Sequence, residues 1–299
     1  MKKTNDFKYL KKSVFFRTLF LLILLFFIIV NNKNNKCHIF KYQEDDLTLI
    51  SAYYRIKSKF PSNLYLKWLN NIVMINKSFV FFANKEFMPT LKLLRPKELH
   101  YKTVFIELEM EDFYVYKNFD KEFHKAYEID KENRYHTIAL YMIWAEKSMF
   151  LKKVISKNYF NSKCFYWIDS GYFRENKIEM KKFINNWPST KKCFEDKRLL
   201  MGQIGKFSEI EKQKIINFDL NEHQKLQSRA NVVGGLFGGQ KKYILKFVDL
   251  YYYAIKLFIK RKIFIGKDQN IFTFIAFSHP ELVHLVLFSS YFGFKTYLA

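Results

Sequence analysis

The chain is poor in the residues that interrupt or staple a fold, with 9 Gly, 5 Pro and 3 Cys in 299 residues. So few Gly and Pro exclude collagen-like and linker-rich chains. Three Cys exclude a disulfide scaffold and any Cys-rich zinc module. Acidic residues are also scarce, 28 Asp and Glu against 51 Lys and Arg, for a net charge of +23. A nucleic-acid footprint is clustered on one face or stripe, whereas Lys here is scattered from end to end. The charge therefore reads as suited to an anionic substrate or an anionic membrane surface, not to nucleic acid. What is abundant is apolar: 49% hydrophobic and 19% aromatic beside 26% charged. That is a globular composition, long enough for a sizeable core.

The N-terminus sets the compartment. Val14 to Val30 (VFFRTLFLLILLFFIIV) is a largely apolar run with one charge, Arg17. As a helix this run is about 26 Å long, enough to span a thin bilayer, and Arg17 can snorkel to the headgroups. Lys2, Lys3, Lys8, Lys11 and Lys12 precede it, so the positive-inside bias puts the N-terminus in the cytosol and the body across the membrane. A cleaved signal peptide would want small residues after the run. Ile28, Ile29, Val30, Asn31 and Asn32 stand there instead, which favours an uncleaved signal anchor. The expected organisation is a cytoplasmic tail over 1–13, a transmembrane anchor over 14–30, a polar stem over 31–45 and one domain over 46–299. A translocated body makes Asn76-Lys77-Ser78 an N-glycosylation acceptor. Cys164 and Cys193 could then pair in an oxidising lumen, but with Cys37 left over the arithmetic does not decide.

Along the body, strand and helix signals alternate. Leu47–Tyr54, Ser78–Ala83, Thr103–Leu108 and Cys164–Ile168 are short apolar runs of strand type, with Arg198–Ile204 and Ile263–Ile265 as further candidates. Helical spacing marks Asn63–Met74, Thr137–Ser156, Lys241–Lys260 and Asp268–Phe277. Glu111 to Asn133 is irregular, and Asn231–Gln240 reads as a Gly-rich strand and loop. The alternation predicts an α/β sheet covered on both faces.

Four clusters carry possible chemistry. In Tyr166–Gly171 (YWIDSG) an apolar strand delivers Asp169 at its C-terminal edge, where open α/β sheets bind ligands. A carboxylate there can hold a divalent ion against a diphosphate, or merely cap the next turn. Gly234-Gly235-Leu236-Phe237-Gly238-Gly239 holds four of the nine Gly. It permits close approach to an anionic ligand, or a tight turn or bulge. Gly266-Lys267-Asp268-Gln269 opens a helix, with Asp268 facing a cleft or serving as N-cap. Glu146-Lys147, inside an apolar helix, reads in isolation as a solvated stripe. No Ser-His-Asp or Cys-His arrangement stands out, and His279 and His284 read as surface or packed imidazoles.

The order of these pieces resembles the HtrL/YibB family, also called WlaTC-type, whose members are regarded as glycosyltransferases. The resemblance rests on LISAYYRI (49–56), YLKWLNNIVMINKSFVFF (65–82), the run 140–174 with Trp-x-Glu-Lys and Trp-Ile-Asp-x-Gly-x-Phe-Arg, NVVGGLFGGQ (231–240) and FIGKDQNIF (264–272). It implies a single GT-A-like, Rossmann-like nucleotide-sugar-binding domain behind the transmembrane helix. Implied with it is a hexosyl-type transfer from a nucleotide-sugar donor to a glycan or glycoconjugate acceptor, and, with the anchor, a type II membrane protein, of the Golgi or another secretory lumen in a eukaryotic source and with its body in the periplasm in a bacterial one.

Such enzymes use a strand-end Asp-x-Asp to bind a divalent metal, Mn²⁺ or Mg²⁺. Here Asp169 is followed by Ser170 and Gly171, so the second Asp is missing and His279 or His284 is the remaining candidate to complete the site. The resemblance implies Asp169 at metal and diphosphate, and Lys147, Tyr53, Gly234 and Gly235 around the donor. Asp268 and Gln269 would line the sugar and acceptor site, and Arg95 and Arg174 would pair with phosphate. The missing Asp also leaves open an inactive, membrane-anchored glycan-binding protein on the same fold. A nucleic-acid binder whose apolar N-terminus is only a buried helix would instead give a soluble chain with steep salt dependence.

Overall fold

The computed structural model describes residues 45–229 and 232–299. The expected tail, anchor and nearly all of the stem lie outside the described residues, as does Cys37. Among the described residues no helix is long and apolar enough to cross a membrane.

Seven strands form one sheet: β1 (Leu47–Tyr53), β2 (Ser78–Ala83), β3 (Thr103–Glu107), β4 (Cys164–Ile168), β5 (Leu199–Ile204), β6 (Val232–Gln240) and β7 (Val283–Phe288). Their order is β3-β2-β1-β4-β6-β5-β7. The pairs β3-β2, β2-β1, β1-β4 and β5-β7 are parallel, and β6 runs against both of its neighbours. The central strands β1, β2 and β4 are buried along their whole length, as continuous apolar runs in covered parallel sheets must be.

Alternate residues feed two cores. Ile50, Val80, Phe82, Phe165 and Trp167 face one side, and Leu49, Phe79, Phe81, Tyr166 and Ile168 the other. The helices follow as α1 (Ser62–Val73), α2 (Met88–Leu94), α3 (Tyr114–Glu128), α4 (Ile138–Lys157), α5 (Lys177–Ile184), α6 (Lys191–Glu195), α7 (Glu209–Ile216), α8 (Leu220–Ser228), α9 (Lys241–Lys260), α10 (Asp268–Ser278) and α11 (Phe294–Tyr297). The first face is covered by α3, α4, α9 and α10, the second by α1, α2 and α5. The mixed α/β sheet covered on both sides is thus present.

The readings of 111–133, 263–265 and the Gly-rich segment are corrected, whereas the Cys164–Cys193 pairing that the sequence left open is present. The segment 111–133 contains α3, whose periodicity is broken at Phe119 by a non-helical φ of −140°. Ile263–Ile265 is buried but joins no strand; its apolar side chains fill the core without a ladder. The Gly-rich segment, read as strand and loop, is strand throughout from Val232 to Gln240. Its glycines are demanded by packing: a Cβ at Gly238 would collide with the Phe165 carbonyl and the Tyr166 ring. Asn76 is only half-buried, but its side chain accepts a hydrogen bond from Lys102 Nζ at 3.1 Å. Ser78 of the same sequon is buried in β2. Cys164 and Cys193 are joined in a disulfide that ties α6 to β4.

Candidate active site

A cleft of about 440 Å³ opens beyond the C-terminal ends of β1 and β4. Parallel strands deliver their C-terminal residues to one edge, so Tyr53 and Asp169 arrive together there. Helix α4 forms one wall. Thr137 caps it, its Oγ1 accepting the Leu140 N–H at 3.2 Å. Leu140, Ile143, Trp144 and Lys147 line the cleft from one helical face. Phe60, Tyr65, Tyr291 and Phe292 supply aromatic surface around the opening.

At the floor, Lys147 is buried, 2% exposed, between two carboxylates. Its Nζ lies 2.8 Å from Asp268 Oδ2 and 3.0 Å from Asp169 Oδ1. It also donates to the Gly234 carbonyl at 3.0 Å. Asp268 is buried and begins α10, where the helix dipole favours an anion. Its Oδ1 accepts the Gln269 N–H at 2.8 Å. Asp169 is held by Trp167 Nε1, which donates to Oδ1 at 2.7 Å. Its backbone N–H donates to the Gly235 carbonyl at 2.8 Å, fixing the strand end against β6.

Electrostatics follow from this arrangement. Burial works to lower the Lys147 pKa, but Asp169 and Asp268 outweigh it and hold the ammonium above its ordinary range. Burial raises the Asp268 carboxyl, with Asp169 adding to the rise and Lys147 opposing it. Two carboxylates thus converge on one ammonium in a low-dielectric floor, and Lys147 and Asp268 both favour their protonated forms.

The carboxylates do not fit a divalent ion as they stand. Both already converge on the Lys147 ammonium, and a second cation between them would meet that charge at close range. Among the described residues no group of three or more His, Cys, Asp or Glu is placed to hold a metal. Neither histidine completes such a site: His284 pairs with Asp196, and His279 Nδ1 lies 3.3 Å from Glu281 Oε1.

Comparison with known proteins agrees with the sequence motifs. The family model HtrL_YibB, described as a bacterial protein of unknown function, matches residues 45–298. The chain belongs to this family. No curated protein matches it. Among solved structures, core-mannan synthase A from Aspergillus fumigatus, in its Mn/GDP form, aligns over 81% of this chain and 73% of its own, at 13% identity and a TM-score of 0.47.

In this family member, Tyr53, Lys147, Asp169, Asp268 and Gln269 all line the one cleft. Gly234 and Gly235 do not line it. A Cβ at Gly234 would stand 2.6 Å from Asp268 Oδ2, and one at Gly235 2.8 Å from Tyr172 Cδ2. Both glycines therefore give room to side chains of the site. Asp169 spends its carboxylate on Lys147 and Trp167, not on capping a turn. The residue before α10 that occupies the N-cap position is Lys267, not Asp268.

The solvated reading of Glu146-Lys147 is overturned, since both side chains are buried. Glu146 accepts the N–H groups of Tyr114 and Val115 at 3.1 Å each, capping α3 from a neighbouring helix. Arg95 is also corrected. It is buried at the opposite strand ends and donates to Thr103 Oγ1 and to the carbonyls of Val73, Ile75 and Lys77. Arg174 does reach the cleft.

The sequence reading missed His136, which lines the cleft. Its Nδ1 lies 2.6 Å from buried Asp130, which also accepts the Tyr141 hydroxyl. The pair stands six positions apart and no motif marks it. Phe60, Tyr291 and Phe292 were equally unmarked, because their meeting depends on chain crossings far apart in sequence.

Proposed function

We propose that this chain is a glycosyltransferase on a GT-A-like fold, moving a sugar from a nucleotide-sugar donor to a glycan or glycoconjugate acceptor. The observation that carries the reading is the Lys147-bridged pair Asp169 and Asp268 at the floor of an aromatic-walled cleft. A cleft at parallel strand ends suits a nucleotide, and aromatic walls suit sugar rings. Asp268 is assigned to the anomeric centre, where its carboxylate stabilises developing positive character, and Gln269 to the hydroxyls of the transferred sugar or acceptor. Tyr53 is assigned to the nucleobase end. Lys147 holds both carboxylates in place.

We further place the body beyond the membrane behind a type II signal anchor, in a Golgi or other secretory lumen if the source is eukaryotic and in the periplasm if it is bacterial. The Cys164–Cys193 disulfide supports an oxidising compartment.

Saturation-transfer NMR of the full chain against a panel of nucleotide sugars tests the reading. Contact with one donor, lost in Asp268→Asn or Tyr53→Ala, is the expected result. Contact with oligosaccharides alone would favour the inactive glycan-binding protein, to which the incomplete Asp-x-Asp also points.

A further inference from the structure

The carboxylates Asp169 and Asp268 and a set of exposed cations line the same cleft. On the floor, Lys147 is spent on two carboxylates, so that group has no positive charge to spare. Near the mouth stand two cations with no carboxylate partner among the described residues, Arg174 and Lys59. Both lie against the Phe60 ring, the Arg174 guanidinium carbon 5.0 Å and Lys59 Nζ 5.9 Å from its centroid.

Arg174 is the better prepared of the two. Its guanidinium stacks 4.0 Å from the Trp68 centroid and 4.7 Å from that of Phe292. Its Nε donates to the Gly171 carbonyl at 3.1 Å. The plane is therefore fixed by rings and by one backbone bond, and the two terminal amino groups remain to form a fork. Partial burial pulls its pKa down, an effect that an anion alongside would relieve. A fixed guanidinium fork matches two oxygens of a phosphate group.

We infer that this protein recognises the diphosphate of its donor without a divalent ion, through Arg174 assisted by Lys59, while Lys147 occupies the space between Asp169 and Asp268. This rests on the transferase reading for the identity of the ligand, but not for the behaviour of the carboxylates. The charge separation then orients the donor. Its diphosphate sits at the cationic mouth, and its sugar points to the Asp268 wall.

The test is calorimetry of the full chain with UDP and with GDP, each in EDTA and in Mn²⁺. The inference expects one nucleotide to bind with Kd unchanged within about threefold between the two conditions. Arg174→Ala should weaken it by about tenfold to a hundredfold, the range for a lost hydrogen-bonded charge contact. Arg174→Lys should fall between, because charge is kept and the fork is lost. Binding tightened tenfold or more by Mn²⁺, or unchanged in Arg174→Ala, would overturn the inference and leave the transferase reading standing.

If neither nucleotide binds, the donor assignment and the Arg174 role both fall. Mn²⁺ paramagnetic resonance on the same protein then decides the Lys147 part. An undiminished aqueous Mn²⁺ signal supports it, and Mn²⁺ captured by the wild type but not by Asp169→Asn overturns it. Lys147→Met, checked for folding by circular dichroism, should gain Mn²⁺ capture that the wild type lacks.

Discussion

Lys147 and Asp268 are 121 residues apart in sequence, yet Nζ lies 2.8 Å from Oδ2 in a site that solvent barely reaches. Helix α4 brings the ammonium and the first turn of α10 brings the carboxylate. A buried pair of this kind contributes little net stability when intact, but removing one partner strands the other charge. Lys147→Met should therefore cost about 3–5 kcal/mol in urea denaturation, as breaking a buried pair does. The double variant with Asp268→Asn should recover part of that loss. Additive losses in the two variants would mean that the pair is not coupled.

The Lys147 pKa sets an alkaline limit. It is raised above the ordinary lysine value of 10.5 because the two carboxylates outweigh burial. A raised folded value means that the stability from this proton is fully present below the unfolded pKa. It is lost as pH rises through the folded pKa. The stability gap between wild type and Lys147→Met should hold steady from pH 7 to about 10 and shrink above it. Urea midpoints across that range read the gap directly. Asp268 is raised as well, by burial above all, so the stability from its proton is lost as pH rises from the ordinary aspartate value through the folded one.

Gly234 and Gly238 separate site from scaffold within one strand. Gly234→Ala puts a methyl 2.6 Å from Asp268 Oδ2 and must displace that carboxylate. A misplacement near 1 Å at a reacting group costs about a hundredfold in turnover, with the far-ultraviolet circular dichroism retained. Gly238→Ala meets the Phe165 backbone in the β4–β6 pairing. It should destabilise by about 3 kcal/mol, at the upper end of usual overpacking costs. Equal loss of folding in both variants would contradict the distinction.

Arg95 and Arg174 are expected to part in the same way. Arg95 makes four hydrogen bonds from a buried guanidinium to Thr103 and three carbonyls. An ammonium cannot span them, so Arg95→Lys should lower stability by about 2–4 kcal/mol, as carbonyls go unsatisfied. Its affinity for donor should be unchanged once refolded protein is counted. Arg174→Lys should behave oppositely, with stability near wild type and weaker donor binding, read by thermal denaturation beside calorimetry.

The parts of the fold legible in the sequence are those with a local signal. Strands β2 and β4 and helix α9 have the expected bounds, because continuous apolar runs and a 3.6-residue period need no partner to be seen. Strand β7 escaped notice because it is only partly buried and pairs with β5 alone. Strand β6 read partly as loop because its glycines answer to Phe165 and Asp268, which lie elsewhere in the chain. The same limit governs the site. Asp169 was visible as an acid after an apolar strand, and Asp268 as an acid opening a helix. That Lys147 bridges them was not visible, since helical position alone makes Glu146-Lys147 look like an exposed pair. Their burial comes from α3, α10 and β6, which reach Glu146 and Lys147 from across the fold.

The most direct test of the account is turnover at Asp268. The full chain is incubated with the donor that it binds and a glycan acceptor, and nucleoside diphosphate release is followed in EDTA. Wild type should release it, accompanied by glycosylated acceptor in the mass spectrum, and Asp268→Asn should lose at least about a hundredfold. Release that persists undiminished in Asp268→Asn, or donor that stays intact with every acceptor, would contradict the account.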